Sequence, residues 1–304
     1  MEKKFFGIYP AALVPFDEEE RVDFNVWERY IDFLIAKGVN GLFLLGTNGE
    51  GPLLNMEEKK ELLRVAVNVC EKRIPVIVQV GEITTDKAVE LAQFSAQIGV
   101  DAVAALPHYY FKLNDASILE AFEEIARAVE PLPFFVYNIP GYTGNPVKDS
   151  ILTKLKEKTS NLIGIKNSEQ DLAKLMGYKL KFGDDFVVMT GTDSLVAPSV
   201  LMGADGAVSA IADVFPEFCS KLYEEASKGN VENARKMQFK LLKIRELTKS
   251  FSDSRAVLKY IAQKRGIFKN SIVRKPLKGL SDEEMKIIDG KIEISEDGEL
   301  KIKQ

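Results

Sequence analysis

Histidine is almost missing from this chain. His108 is the single one in 304 residues, so no histidine-based metal site can be assembled, although carboxylate sites for magnesium stay formally open. Cysteine is nearly as scarce. Cys70 and Cys219 stand far apart in helical patterns, and no C-x-x-C occurs. Neither a disulfide framework nor a zinc cluster is indicated, and a reducing cytoplasm fits. No apolar run approaches bilayer-spanning length, so no membrane partner is expected. Residues 1–10 carry a charged start and an apolar stretch, but Pro10 and Pro15 interrupt it and acidic residues follow from Asp17. That suits a first strand better than a secretory signal. A face of one charge sign is absent too. Lysines and glutamates alternate along helical patterns, the net charge is −4 and the sequence pI is about 5.4, so nucleic acid is not an expected partner. Finally, no G-x-G-x-x-G follows the first apolar run, which leaves an open dinucleotide-binding sheet without support.

What is present is a repeating order. With 46% hydrophobic residues there is material for one large core or two modest ones. Short apolar runs at 8–14, 41–45, 75–80, 102–106, 133–137, 162–166, 186–190 and 207–211 read as eight strands. Helical patterns separate them. The first, 24–36, has Asp23 as N-cap and Gly38 as stop. Asn55-x-x-Glu58 reads as a capping box opening 56–72. Others span 86–98, 118–129, 149–158 and 171–182, the last interrupted by Gly177. Alternating strands and helices imply parallel strands with crossovers, and eight such units predict a closed (β/α)₈ TIM barrel. A helix over 216–228 closes it, which places a catalytic barrel at 1–228. Patterns at 231–251, 255–264 and after Ser281-x-x-Glu284 predict a C-terminal helical appendage over 229–290. Residues 291–304 alternate at period two around Asp297-Gly298, which reads either as a β-hairpin with a type I′ turn or as a frayed tail.

In such a barrel the C-terminal ends of the strands converge on one mouth. The loop after the second strand is Gly46-Thr-Asn-Gly-Glu50, either an ordinary turn or an anion nest of inward N–H groups. Pro107-His-Tyr-Tyr110 follows the fourth strand, and Tyr137-Asn-Ile-Pro140 the fifth. Lys166 ends the sixth, Gly191-Thr-Asp-Ser194 follows the seventh, and Gly206-Ala-Val-Ser209 forms the eighth. Burial at a strand end lowers a lysine pKa and makes the amine a nucleophile toward carbonyls. Lys166, Tyr137 on the neighbouring strand and a carboxylate nest together suit a 2-oxo acid. The lysine attacks the carbonyl, the phenol shuttles protons, and the imine enables carbon–carbon cleavage. His108 reads as a rim or structural residue.

The chain therefore resembles the dihydrodipicolinate synthase/N-acetylneuraminate lyase family of class I, pyruvate-dependent aldolases. The motifs are Pro15-Phe16, Gly46-Thr-Asn-Gly-Glu50, Pro107-His-Tyr-Tyr110, Tyr137-Asn-Ile-Pro140 with Thr143-Gly144, Gly164-Ile-Lys166 and Gly203-Ala-Asp-Gly206. The resemblance implies that Lys166 forms the Schiff base and Tyr137 donates and accepts protons beside it. It implies Thr47 as relay and nest residue, Asn48 completing the nest, and the Val208 backbone touching pyruvate. It implies no metal and no organic cofactor. Tyr109 matches the tyrosine that reaches into a neighbouring subunit's site, which implies a homodimer or homotetramer.

Departures bear on the substrate, with pyruvate and a small aldehyde as the two halves. The synthases carry an arginine where Tyr142 stands, and a phenol does not replace a bidentate guanidinium. They have a second threonine where Asn48 stands. Sialic acid lyases tend to have an acid at the place of Ser194 and a serine at that of Ala210. Asn48 resembles the 4-hydroxy-2-oxoglutarate aldolase type, while Gln79-Val-Gly81 and Pro107-x-Tyr-Tyr110 resemble 2-keto-3-deoxygluconate aldolases. Gly191 joins the substrate-binding set beside Asp193 and Ser194. These last two read either as contacts for substrate hydroxyls or as caps of the next helix. The expected activity is reversible cleavage of a 2-oxo-3-deoxy sugar acid or 4-hydroxy-2-oxo acid. Dihydrodipicolinate synthesis, a Schiff-base dehydratase and a non-catalytic 2-oxo acid sensor are the alternatives.

Overall fold

The computed structural model describes residues 4–295 and 300–302. Eight parallel strands run β1 (Gly7–Pro10), β2 (Leu42–Leu44), β3 (Val76–Gln79), β4 (Ala102–Ala105), β5 (Phe134–Asn138), β6 (Leu162–Asn167), β7 (Val187–Thr190) and β8 (Gly206–Ser209). Each pairs with its successor from β2 onward, and β8 pairs with β1. Asn40 bridges the remaining gap between β1 and β2. Its N–H donates to the Ile8 carbonyl at 2.9 Å and its side-chain oxygen accepts from the Ile8 N–H at 2.9 Å. Gly41 is required beside it, because a Cβ there would sit 2.1 Å from the Tyr9 ring.

The period-two alternation of the strands sorts side chains into two cores. Tyr9, Phe43, Ile77, Phe135, Tyr137, Met189 and Val208 belong to one buried cluster inside the barrel. Ile8, Leu44, Val78, Val103, Val136, Ile165 and Val188 belong to a second, larger cluster under the helices. The early covering helices are α1 (Phe24–Ala36), α2 (Met56–Cys70), α3 (Thr85–Gln97) and α4 (Asp115–Ala128). A short α5 (Pro140–Thr143) precedes α6 (Asp149–Lys158), α7 (Leu172–Phe182), α8 (Val196–Leu201) and α9 (Pro216–Ser227). Asp23 caps α1, and Asn55 with Glu58 closes a full capping box on α2, as the spacing predicts. Trp27 of α1 is buried and its indole N–H donates to the Leu62 carbonyl at 2.9 Å, which docks α1 on α2.

Three expectations need correction. β1 stops at Pro10 rather than residue 14, and 11–14 continues as buried non-strand chain. The pattern analysis has no helix between β7 and β8, yet α8 makes that crossover. A four-residue turn of helix, α5, also stands at the mouth after β5. Past the barrel come α10 (Val231–Lys249), α11 (Ser254–Lys264) and α12 (Asp282–Lys291). β9 (Ile292–Ile294) and β10 (Leu300–Ile302) then pair antiparallel. The expected turn at Asp297-Gly298 lies outside the described residues. Buried Ile292 ties β9 to the main core.

Candidate active site

The site begins with register. β5 and β6 pair so that Tyr137 stands opposite Lys166. Both side chains point into the barrel, where Phe43 from β2 meets Tyr137 edge to face at 5.5 Å. Lys166 is 4% exposed, and its amine lies 3.8 Å from the Phe43 ring centre and 3.9 Å from that of Tyr137. Among the described residues it has no ion-pair partner. Desolvation holds its pKa well below the ordinary lysine value, against an opposing pull from Asp213 and Asp193. The amine is thus suited to be a neutral nucleophile.

Tyr137 is buried, and burial raises its pKa, while the Thr47 and Ser168 hydroxyls pull it down. Its phenol oxygen stands 3.5 Å from Thr47 Oγ1. Thr47 lies in the loop after β2, whose turn is made by the Glu50 N–H to the Thr47 carbonyl and the Gly51 N–H to the Gly46 carbonyl. The Thr47 and Asn48 N–H groups donate to no backbone carbonyl among the described residues. They are free donors at the mouth, as an anion nest needs.

The remaining expected residues fall into place unequally. Val208 lies inside the barrel on β8. Gly191 faces the lysine, since a Cβ there would sit 3.0 Å from Lys166 Cε and 2.0 Å from Ser168 Oγ. Asp193 is buried rather than displayed at the rim. Ser209 Oγ donates to its carboxylate at 2.5 Å, and Gln238 of α10 donates to its carbonyl at 2.9 Å. Ser194 is half-buried in the same short helical turn. Tyr142, on α5, is 68% exposed and influences Tyr137 electrostatically. Tyr109 is half-buried and packs on the inner cluster, with its pKa raised by burial and by Glu82. His108 is held away from chemistry, with Nδ1 2.7 Å from the Glu82 carbonyl and Nε2 2.8 Å from Thr85 Oγ1.

Two residues of the site were not read from the sequence, Asp213 and Ser168, whose hydroxyl acts on Tyr137. Asp213, just past β8, is fully buried and accepts from Asn48 Nδ2 at 3.2 Å. The Tyr30 phenol donates to its carbonyl at 3.0 Å. Burial raises the Asp213 pKa well above the carboxylate range, with Asn48 pulling it down. The available signal was a lone acid inside the apolar run 210–215, because unpaired acids are rare in buried segments.

The profile of the Dihydrodipicolinate synthetase family matches residues 4–294. The 4-hydroxy-tetrahydrodipicolinate synthase of Bartonella quintana (strain Toulouse) is 31% identical, over 93% of this chain and 95% of its own. The "Probable 2-dehydro-3-deoxy-D-pentonate aldolase YjhH" of Escherichia coli (strain K12) is 32% identical, over 92% of this chain and 94% of its own. Among solved structures, YagE in complex with pyruvate superposes with a TM-score of 0.90 at 29% identity, covering 95% of this chain and 97% of that one. YagE is a prophage protein of the dihydrodipicolinic acid synthase family from E. coli K12. With the profile matched along nearly the whole barrel and relatives above 30% identity over nine tenths of the length, the chain belongs to the dihydrodipicolinate synthetase family of Schiff-base lyases.

Proposed function

We propose that this protein is a class I aldolase that cleaves a 2-oxo-3-deoxy sugar acid, or a related 4-hydroxy-2-oxo acid, to pyruvate and an aldehyde, and runs the reverse condensation. The observation that carries the reading is the desolvated Lys166 amine in register with the Tyr137 phenol. In this reading the substrate carboxylate lies on the Thr47 and Asn48 N–H groups, with the Val208 backbone and Gly191 against the pyruvyl part. Lys166 attacks C2, Tyr137 passes the amine proton to the C2 oxygen, and the phenol then gives its own proton to that oxygen as it leaves as water. The iminium accepts the electron pair of the C3–C4 bond while the 4-hydroxyl loses its proton to the Tyr137 phenolate. Protonation of the enamine at C3 and hydrolysis release pyruvate. Thr47 relays protons with Tyr137, consistent with their 3.5 Å separation. The chemistry runs on the covalent imine and calls for neither metal nor organic cofactor.

Tyr142, Asp193 and Ser194 are assigned to the aldehyde half. The burial of Asp193 behind Ser209 favours a role in shaping that pocket rather than direct contact. Dihydrodipicolinate synthesis is the second reading, favoured by the names of relatives such as the Bartonella quintana enzyme. The phenol at position 142 argues against it, because it offers no fork for a substrate carboxylate. The proposal includes a homodimer, paired into a homotetramer, in which Tyr109 reaches the neighbouring site. The exposed Tyr110 and Phe111 beside it support that assembly.

Borohydride added with pyruvate is expected to trap an adduct on Lys166, located by peptide mass. A panel of aldehydes with pyruvate, scored by product mass, then names the partner. Polyhydroxylated aldehydes or 2-oxo acids such as glyoxylate should condense, and aspartate semialdehyde poorly. An adduct on another lysine ends the mechanism, and efficient use of aspartate semialdehyde selects the second reading.

A further inference from the structure

The loop carrying Thr47 and Asn48 is strained at both ends. Leu45 and Glu50 hold φ of 59° and 53°, in the left-handed region, where a non-glycine residue costs on the order of 1 kcal/mol or more. The turn is also tight. A Cβ on Gly49 would lie 2.7 Å from the Ala12 carbonyl oxygen, and one on Gly51 would lie 2.1 Å from that of Leu45. Such conformations persist only where the surroundings over-determine them.

The over-determining contact is a buried charge pair. Glu50 is 1% exposed, and its Oε1 accepts from Lys259 Nζ at 2.5 Å while its Oε2 accepts from the Arg274 N–H at 2.8 Å. Lys259, on α11, is wholly buried, donates to the Ile272 carbonyl at 2.9 Å and lies 4.1 Å from the Phe16 ring centre. Both partners of Glu50 come from chain beyond α9. An ion pair this deep is a poor source of stability, because desolvation of two charges offsets their attraction. Its place at the end of a strained substrate loop gives it a different use.

We propose that Glu50 and Lys259 are positioning residues, whose buried ion pair locks loop 46–50 so that the Thr47 and Asn48 N–H groups stay aimed at the carboxylate of the 2-oxo acid. The C-terminal helices are then part of the substrate site. This rests on the pyruvate chemistry proposed above. The partners of the pair are each other, the Ile272 carbonyl and the Arg274 N–H rather than Lys166 or Tyr137, so the amine keeps its reactivity when the pair is lost.

The test compares the wild type, the double variant Glu50→Met with Lys259→Met, and the single variant Glu50→Gln. Each is trapped with borohydride in the presence of pyruvate or of acetone, which has the carbonyl but no carboxylate. Adducts are counted on the Lys166 peptide, and melting temperatures are taken alongside. Failure of the wild type to trap pyruvate sinks the Schiff-base reading itself, separately from this proposal. The double variant replaces two buried charges by apolar chains, a change often neutral for stability. It is expected to stay folded, melting somewhat below the wild type because the Arg274 N–H and the Ile272 carbonyl lose their partners, to need at least ~10-fold more pyruvate for half-maximal trapping, about 1.4 kcal/mol of lost affinity, and to trap acetone unchanged. Wild-type pyruvate dependence overturns the proposal, and so does an equal loss with acetone, which marks general damage. Should the double variant not fold, Glu50→Gln decides. A several-fold rise in half-saturating pyruvate is expected, and no rise overturns the assignment.

Discussion

Lys166 costs the folded state free energy before it does any chemistry. Burial disfavours its ammonium form, and Asp213 and Asp193 offset that only in part. Its folded-state pKa is therefore below the ordinary 10.5, which the unfolded chain retains. Between those two values the unfolded chain binds more protons than the folded one, so stability rises with pH across the interval. Below the folded pKa the full cost is present, and above 10.5 none of it remains. Lys166→Met fills similar space without a charge. It is expected to abolish activity and to raise the melting temperature by about 2 °C or more near neutral pH. The gain should shrink as pH approaches 10.5. Paired melting series at several pH values check the sign. A gain that is absent, or that grows with pH, would mean that the amine is not desolvated in the folded protein.

Elements convert such residues into a site, because strand register decides what stands opposite what. Gly191, at the exit of β7, is the sharpest case. Gly191→Ala would place a Cβ 2.0 Å from Ser168 Oγ and 3.0 Å from Lys166 Cε, so the Ser168 hydroxyl must swing away from its place and the lysine chain must give by a few tenths of an ångström. Misplacement by about 1 Å costs on the order of 10²-fold in rate, so a shift of a few tenths of that should cost about several-fold. Single-turnover trapping should fall several-fold while the circular dichroism spectrum stays native. Near-wild-type trapping would remove Gly191 from the site. This dependence on strand ends also explains what the sequence made legible. The eight strands are visible as short apolar runs between turn residues, and Lys166, Tyr137 and Thr47 are visible as polar residues at their exits. α8 is hidden because 195–201 is an apolar stretch containing Val196, Pro198 and Val200, poor helix formers without an amphipathic period. Packing against α9 and α10 imposes the helix there. Asp213 and the Glu50–Lys259 pair are hidden for another reason. Asn48 and Asp213 are 165 residues apart, and Glu50 and Lys259 are 209 apart, so no local pattern couples them.

At the scale of the whole molecule, one pair of exposed aromatic side chains lies beside the mouth. Tyr110 and Phe111 are 82% and 67% exposed and stack edge to face at 4.9 Å, next to half-buried Tyr109. Their segment is not loose. Asn145 accepts from the Leu113 N–H and donates to the His108 and Phe111 carbonyls, at 2.8 to 2.9 Å. Tyr110 holds φ at 82°, an unfavourable state for a bulky residue. A firmly held loop that presents two aromatic rings to water has the character of an interface core rather than of a solvated rim. No helix among the described residues is long and apolar enough to cross a membrane. A second copy is the proposed cover, placing each Tyr109 at its neighbour's site. Light scattering over a concentration series should therefore give a dimer or tetramer for the wild type and a smaller species for Phe111→Asp. Burying that carboxylate unpaired at the interface costs several kcal/mol. Because Tyr109 would then lose its place beside the neighbouring mouth, kcat should fall with the loss of assembly and recover at high protein concentration. A wild type that is monomeric at every concentration, or a Phe111→Asp protein that dissociates with full activity, would separate catalysis from assembly and leave each barrel to work alone.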